Sequence, residues 1–174
     1  MKEGVILTPD RPIVAVEKPY CVTGAKGRPA QNLRSMYLEG DDQELLNYAL
    51  RDKYACMERE EQRFETHWAD EADCLVIAFG TAARIALSAV RLARQEGLKV
   101  GLFRPITLYP FPVDGLRALS ERIKRMLVVE LNLGQMVEDV RSIVLPDVDV
   151  RFHGRPAGGL PSPSDVLAKI KDEG

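Results

Sequence analysis

From residue 74 to the C-terminus the sequence alternates short apolar runs with amphipathic segments, and this limits the fold more than any other feature. "CLVIAF" (74–79) reads as a strand and "GTAARIALSAVRLARQEG" (80–97) as a helix, with Thr81 expected as its cap and Gly97 as its stop. "KVGLF" (99–103), "MLVVE" (126–130) and "VDVRFH" (148–153) read as further strands. "FPVDGLRALSERIKR" (111–125), "LGQMVEDVRSIVL" (133–145) and "SPSDVLAKIKDE" (162–173) read as helices, the last with a Ser-Pro start. Strands separated by helices pair in parallel and are covered on both faces, through right-handed crossovers. The expected fold class is therefore α/β: a three-layer sandwich with a mostly parallel sheet of about five strands. With 174 residues, 45% of them apolar, the chain can build one such domain and an appendage.

The appendage lies upstream. Residues 1–40 contain Pro9, Pro12, Pro19 and Pro29, which exclude a helix and restrict any strand to a sheet edge. They read as an extended arm, of the kind ordered by lying on something else. Residues 41–72 read as a long amphipathic helix. Asp41 or Asp42 is its cap, Leu46, Leu50, Tyr54, Met57, Phe64 and Trp68 recur at helical spacing, and Glu61 breaks the stripe. A helix of about 28 residues would reach about 40 Å, longer than a domain this small. Either part of the stripe faces another chain, or the helix packs on its own core or breaks in two. The expected division is arm 1–40, helix 41–72 and α/β domain 73–174.

In an open α/β sheet the carboxyl ends of the strands share one edge, where sites gather. Here that edge begins with Thr81 and Arg84, after the first strand. The strand within "GLKVGLFRPITLYPFP" (97–112) then ends in Arg104 and Pro105 and runs into a proline-stiffened corner holding Tyr109 and Phe111. Asn132 and Gln135 follow the third strand, and Arg155 follows the fourth. Rigid prolines and aromatics hold apolar area at low entropy cost, so this rim reads as a docking interface. An anion at the helix start near Thr81, neutralised by Arg84 or Arg104, is a second use of the same rim.

Catalytic motifs are missing. No G-x-G-x-x-G follows a strand, and neither G-x-x-x-x-G-K-[ST] nor G-x-S-x-G occurs. "GRPAGG" (154–159) reads as a tight turn needing unusual backbone angles. Of the two histidines, His67 and His153, the strand-end His153 is the better candidate, but no nucleophile or metal partner is identifiable for it. Cys21, Cys56 and Cys74 lack zinc or iron–sulfur spacing and read as small buried apolar residues. No catalytic, cofactor-binding or metal-binding residue is assigned. The net charge of −2, without a basic run, argues against nucleic acid. No apolar run approaches the roughly 20 residues of a membrane helix. "MKEG" starts no signal peptide, so a cytoplasmic chain is expected.

The segments "KPYCVTGAKGRPAQNLRSMYLE", "FGTAARIALSAVRLARQEGLKVGLFRPITLYPFP" and "VVELNLGQMVEDVR" together resemble the alpha subunit of 2-oxoacid:ferredoxin oxidoreductases, the 2-oxoisovalerate (branched-chain) type above all. The resemblance covers nearly the whole chain but only the C-terminal half of such a subunit. It implies a transketolase C-terminal-like domain in a complex that oxidatively decarboxylates a 2-oxoacid to an acyl-coenzyme A. That complex uses thiamine diphosphate, magnesium, iron–sulfur clusters and coenzyme A. The G-D-G signature with paired asparagines is absent here, so no catalytic residue of the family carries over. The implied role is a non-catalytic assembly domain, inactive alone, that forms a homodimer or binds a catalytic beta subunit, the N-terminal half of alpha and a ferredoxin-type subunit. The competing reading is a stand-alone small-molecule or anion-binding regulatory domain using Thr81, Arg104, Asn132 and Arg155.

Overall fold

A computed structural model describes Pro12, Ala15, Lys18 and residues 24–32, 34–156 and 158–172. Pro9, Pro19 and Cys21, which entered the reading of the arm and the cysteines, lie outside the described residues. The chain divides into two units, residues 1–46 and 47–174. In the first, residues 24–32 and 34–39 hold neither helix nor strand, and Arg28 N–H donates to the Ala25 carbonyl at 3.2 Å to close a turn. Helix α1 (Gly40–Glu60) starts here with Asp41 and Asp42 in its first turn, where carboxylates suit the unpaired N–H groups. The Tyr37 N–H donates to Gln43 Oε1 at 2.8 Å.

The second unit holds a five-stranded sheet made of β1 (Phe64–His67), β2 (Cys74–Ala78), β3 (Val100–Pro105), β4 (Arg125–Glu130) and β5 (Asp149–Gly154). Their order is β1-β3-β2-β4-β5, with β1 antiparallel to β3 and all other pairs parallel. Four helices cover it: α2 (Gly80–Gln95), α3 (Val113–Arg122), α4 (Met136–Ile143) and α5 (Pro163–Lys171). Side-chain alternation sorts the core into two layers. Val76, Ala78, Leu102, Leu127 and Val129 face one way, onto α2 and α5. Leu75, Ile77, Phe103, Met126 and Val128 face the other, onto α3 and α4. The buried face of α2 consists of Ala82, Ala83, Ala86, Ala89, Val90 and Ala93, small enough to bring the helix close to the sheet.

The expected α/β sandwich is thus present, with three corrections. The helix expected over 41–72 ends at Glu60, and residues 64–67 form an edge strand. Helical spacing and strand alternation both fit Phe64, and packing decides between them. No residue of α1 is buried, so nothing holds a further turn. As a strand, by contrast, the segment pairs with β3 and stacks Phe64 on Phe103 at 4.9 Å. This edge strand is the fifth of the sheet. Thr81 is not a cap: Phe79 occupies the cap position, with φ −128° and ψ 163°, and Thr81 already lies in the first helical turn. The helices over 111–125 and 133–145 are shorter than expected, at Val113–Arg122 and Met136–Ile143. The Ser-Pro start of α5 is a full capping box, with Ser162 Oγ accepting from Asp165 N–H at 3.1 Å and Asp165 Oδ2 accepting from Ser162 N–H at 2.8 Å. Gly97, with φ 87°, stops α2 as expected.

Candidate functional site at the carboxyl edge

β4 delivers Glu130 to the carboxyl edge, fully buried. The first N–H groups of α4 have no partner within the helix, and Gln135 at its start supplies no side-chain cap. The Glu130 carboxylate fills that gap from the strand, accepting from Met136 N–H at 2.9 Å, Val137 N–H at 3.0 Å and Asn132 Nδ2 at 3.0 Å. Asn132 Oδ1 in turn accepts from Gly134 N–H at 2.7 Å, and Arg155 N–H donates to the Glu130 carbonyl at 3.1 Å. These bonds tie the loop after β4 to the loop after β5.

At the end of β3, Arg104 faces Glu65 across the antiparallel ladder and donates to its Oε1 at 2.5 Å. This bond holds the Glu65 carboxyl below its ordinary range. The two side chains are 40% and 41% exposed, so the pair contributes about 0–1 kcal/mol. His67 Nε2 lies 3.8 Å from the same carboxylate oxygen. Glu65, His67, Leu102 and Arg104 form one wall of an open groove of about 460 Å³, and Gly80, Ala83, Arg84 and Leu87 of α2 form the other.

The corner after β3 is stitched to the residue before β1. Ile106 and Thr107 N–H donate to the Arg63 carbonyl at 2.8 and 3.1 Å, and Arg63 N–H donates to Thr107 Oγ1 at 3.0 Å. Beyond it, Tyr109 meets Tyr54 edge-on at 6.0 Å and donates to Glu58 Oε1 at 3.5 Å. A second groove, of about 400 Å³, opens beside this corner.

His153 sits on β5, and its Nε2 is buried without a hydrogen-bond partner. Burial first, then the charge of Lys169, lowers its pKa; Arg155 lowers it further and Asp165 opposes. The unfolded chain therefore takes up a proton at a higher pH than the folded one. The stability tied to neutral His153 is complete above the ordinary value of about 6.5 and is lost as pH falls below it, until the lowered folded pKa is passed. The chain should lose more melting temperature between pH 7.5 and 5.5 than a His153→Phe variant does. Equal losses would exonerate His153. Glu65 and Asp165, both held below their ordinary values, titrate at lower pH and do not confuse the window.

Comparison with known proteins places the chain in a family. Residues 72–166 match pyruvate:ferredoxin oxidoreductase core domain II. The chain belongs to that family. The chain is 40% identical over 153 residues to ketoisovalerate oxidoreductase subunit VorB of Methanothermobacter thermautotrophicus, covering 88% of this chain and 43% of the relative. The chain therefore spans less than half the length of that curated relative. Among solved structures it is similar to the 2-oxoglutarate:ferredoxin oxidoreductase from Magnetococcus marinus with 2-oxoglutarate, coenzyme A and succinyl-CoA bound. The TM-score is 0.68 at 23% identity, over 79% of this chain and 24% of that one. A split gene transketolase, described as an inactive beta4 tetramer, matches with TM-score 0.53 at 16% identity over 63% of this chain and 40% of that one. The architecture is transketolase C-terminal-like.

In this core domain II the rim residues named from sequence fall into separate places. Arg84 and Arg104 line the first groove, beside Gly80 and near Thr81 in the first turn of α2. Pro105 is buried and closes β3 opposite Phe64. Asn132 and Gln135 gather around Glu130, and Arg155 donates to the Leu160 carbonyl at 3.1 Å. Tyr109 and Phe111 line the second groove. Sequence reasoning missed Glu130 as an internal cap and Glu65 as the partner of Arg104. The first had a signal: no Ser, Thr, Asp or Asn directly precedes α4. Cys74 is buried as expected and burial raises its thiol pKa. Cys56, expected to be buried, is only half-buried because α1 buries no residue, and a hydrogen bond to Glu60 raises its pKa, so neither has thiolate character.

Proposed function

We propose that this chain is a non-catalytic assembly domain, the C-terminal part of the alpha subunit, of a thiamine-diphosphate-dependent 2-oxoacid:ferredoxin oxidoreductase. The complex would oxidatively decarboxylate a branched-chain 2-oxoacid of the 2-oxoisovalerate type to its acyl-coenzyme A. Family membership supports the enzyme class, and the relative named ketoisovalerate oxidoreductase supports the substrate branch. One observation carries the assembly role. At the carboxyl edge, Glu130, Asn132 and Arg104 are spent on internal bonds, while Ile106, Leu108, Tyr109, Leu133 and Leu160 are exposed to solvent. An edge whose polar groups hold its own loops and whose apolar groups point outward is built to be covered by protein.

The described residues do not fit a magnesium diphosphate. The fully buried edge carboxylate is already occupied by N–H donors, and no group of three His, Cys, Asp or Glu among the described residues stands close enough to share a metal. On this reading the thiamine diphosphate, magnesium, iron–sulfur clusters and coenzyme A are held by the other subunits: the catalytic beta subunit, the N-terminal half of alpha and the ferredoxin-type subunit. No described helix is long and apolar enough to cross a membrane, in keeping with a cytoplasmic complex.

Light scattering tests the role. The purified chain alone, at several concentrations, should form a homodimer, or should remain a monomer that gains mass on adding the beta subunit and the N-terminal half of alpha. A monomer that ignores both would sink the proposal. A second reading, a small-anion site, is favoured by the first groove, which Arg84 and the Glu65-paired Arg104 both line beside the start of α2. Millimolar phosphate, nucleotides and 2-oxoacids should then raise the melting temperature. No rise with any of them removes this reading.

A further inference from the structure

The second groove has a definite chemistry. Leu108, Tyr109, Pro110, Phe111 and Val113 supply its apolar surface. Its flanks carry three carboxylates: Glu58 from the end of α1, Asp114 from α3 and Asp139 from α4. No lysine, arginine or histidine lines it. Asp114 and Asp139 each stand in the first turn of their helix, where negative charge is favourable. Loss of water and the nearby Glu58 carboxylate raise the pKa of the Tyr109 phenol, a mark of the same negative surroundings. Leu108 and Tyr109 leave the groove's apolar border open to solvent.

We infer that this groove receives an arginine carried on an apolar segment of a partner polypeptide, the guanidinium lying against Tyr109 or Phe111 and pairing with the Asp114, Asp139 and Glu58 carboxylates. Charge complementarity selects that occupant. A purely apolar segment would strip water from Asp114 and Asp139 without pairing them, and would leave Glu58 with only the Tyr109 hydroxyl as donor, a cost that a cationic side chain offsets. An acidic segment or a nucleic acid would be repelled. Arginine suits the place better than lysine because its guanidinium is flat and weakly hydrated, stacks on aromatic rings and bonds carboxylates in pairs. The prolines on either side of Phe111 fix the corner beforehand, so little order is lost on docking. This inference rests on the assembly reading and names the chemistry of the partner at one part of the rim.

The test uses the full chain, labelled with nitrogen-15, and two peptides: acetyl-Leu-Arg-Leu-amide and its citrulline counterpart, which keeps the shape and lacks the charge. The arginine peptide should shift the amide resonances of Leu108, Tyr109, Phe111 and Asp114 with a Kd of about 1 mM. The citrulline peptide should bind about tenfold more weakly, as charge-assisted pairing is lost. An Asp114→Asn, Asp139→Asn double variant should lose the same preference while keeping its amide pattern elsewhere. No groove shift with either peptide up to about 10 mM overturns the inference. Equal binding of the two peptides does so too, because it would mean an apolar dock without charge selection. The peptide comparison needs no variant, so a misfolded double variant leaves the test intact. Light scattering with the other subunits decides the assembly reading separately. Assembly without arginine preference would leave that reading standing and remove the groove; preference without assembly would do the reverse.

Discussion

Glu130→Gln is expected to destabilise the domain by about 2–4 kcal/mol, although it exchanges one atom and conserves volume. The Glu130 carboxylate accepts from Met136, Val137 and Asn132 in a fully buried position. A glutamine offers one oxygen where two are used and turns an NH2 group towards backbone N–H donors. At least one of those donors is then buried without an acceptor, and the start of α4 keeps half of its side-chain cap. For a chain of this size the melting temperature should fall by roughly 5–15 °C. Urea unfolding measures the free energy directly, and the exposed Glu121→Gln serves as the control, expected within about 0.5 kcal/mol of the parent. A loss below about 1 kcal/mol at Glu130 would mean that water reaches the α4 start and replaces the carboxylate.

The second large effect is expected at Gly154, the last residue of β5. A Cβ built there would lie 2.4 Å from the carbonyl oxygen of Asn132 and 2.3 Å from Cζ of Phe152. The ring can swing away, but the carbonyl belongs to the loop that Glu130 holds. Gly154→Ala should therefore cost about 2–3 kcal/mol through overpacking. Gly40→Ala is the contrast: nothing lies within 4 Å of its added methyl, so it should be near neutral. Because Gly154 and Glu130 press on the same loop, the double variant should lose less than the sum of the two single losses, by at least about 0.5 kcal/mol. Strict additivity in urea unfolding would show that the two loops are mechanically independent.

These two positions mark what the sequence could and could not disclose. The elements after residue 74 were legible because apolar runs such as 74–79 and 126–130 alternate with amphipathic stretches, a local property. Ser162-Pro163 was legible as a helix start for the same reason. Phe64 and Trp68 misled because their spacing continues the helical stripe of α1, and the choice of strand over helix is made 39 residues away, where β3 pairs with the segment and Phe103 stacks on Phe64. Glu130 looked like one more polar strand end. Its role follows from the missing cap of α4 and from burial, and only the second needs the folded chain. The rim read as one surface from sequence. In the fold Arg104, Asn132 and Tyr109 belong to different neighbourhoods, because the edge strand, the α4 start and the proline corner each claim one of them.

The strand order has a consequence for how the chain is made. β1 pairs with β3 and not with β2, the strand that follows it in sequence. A polypeptide synthesised from its N-terminus presents Phe64–His67 to the cell before residues 100–105 exist to receive them. This segment is therefore made before its pairing strand and must wait to be seated, its backbone unpaired and the Phe64 ring uncovered. The wait is bounded by the time needed to make β2, α2 and β3. The strand's brevity, at four residues with Glu65 and His67 on one of its faces, keeps it a poor template for neighbouring chains during that interval.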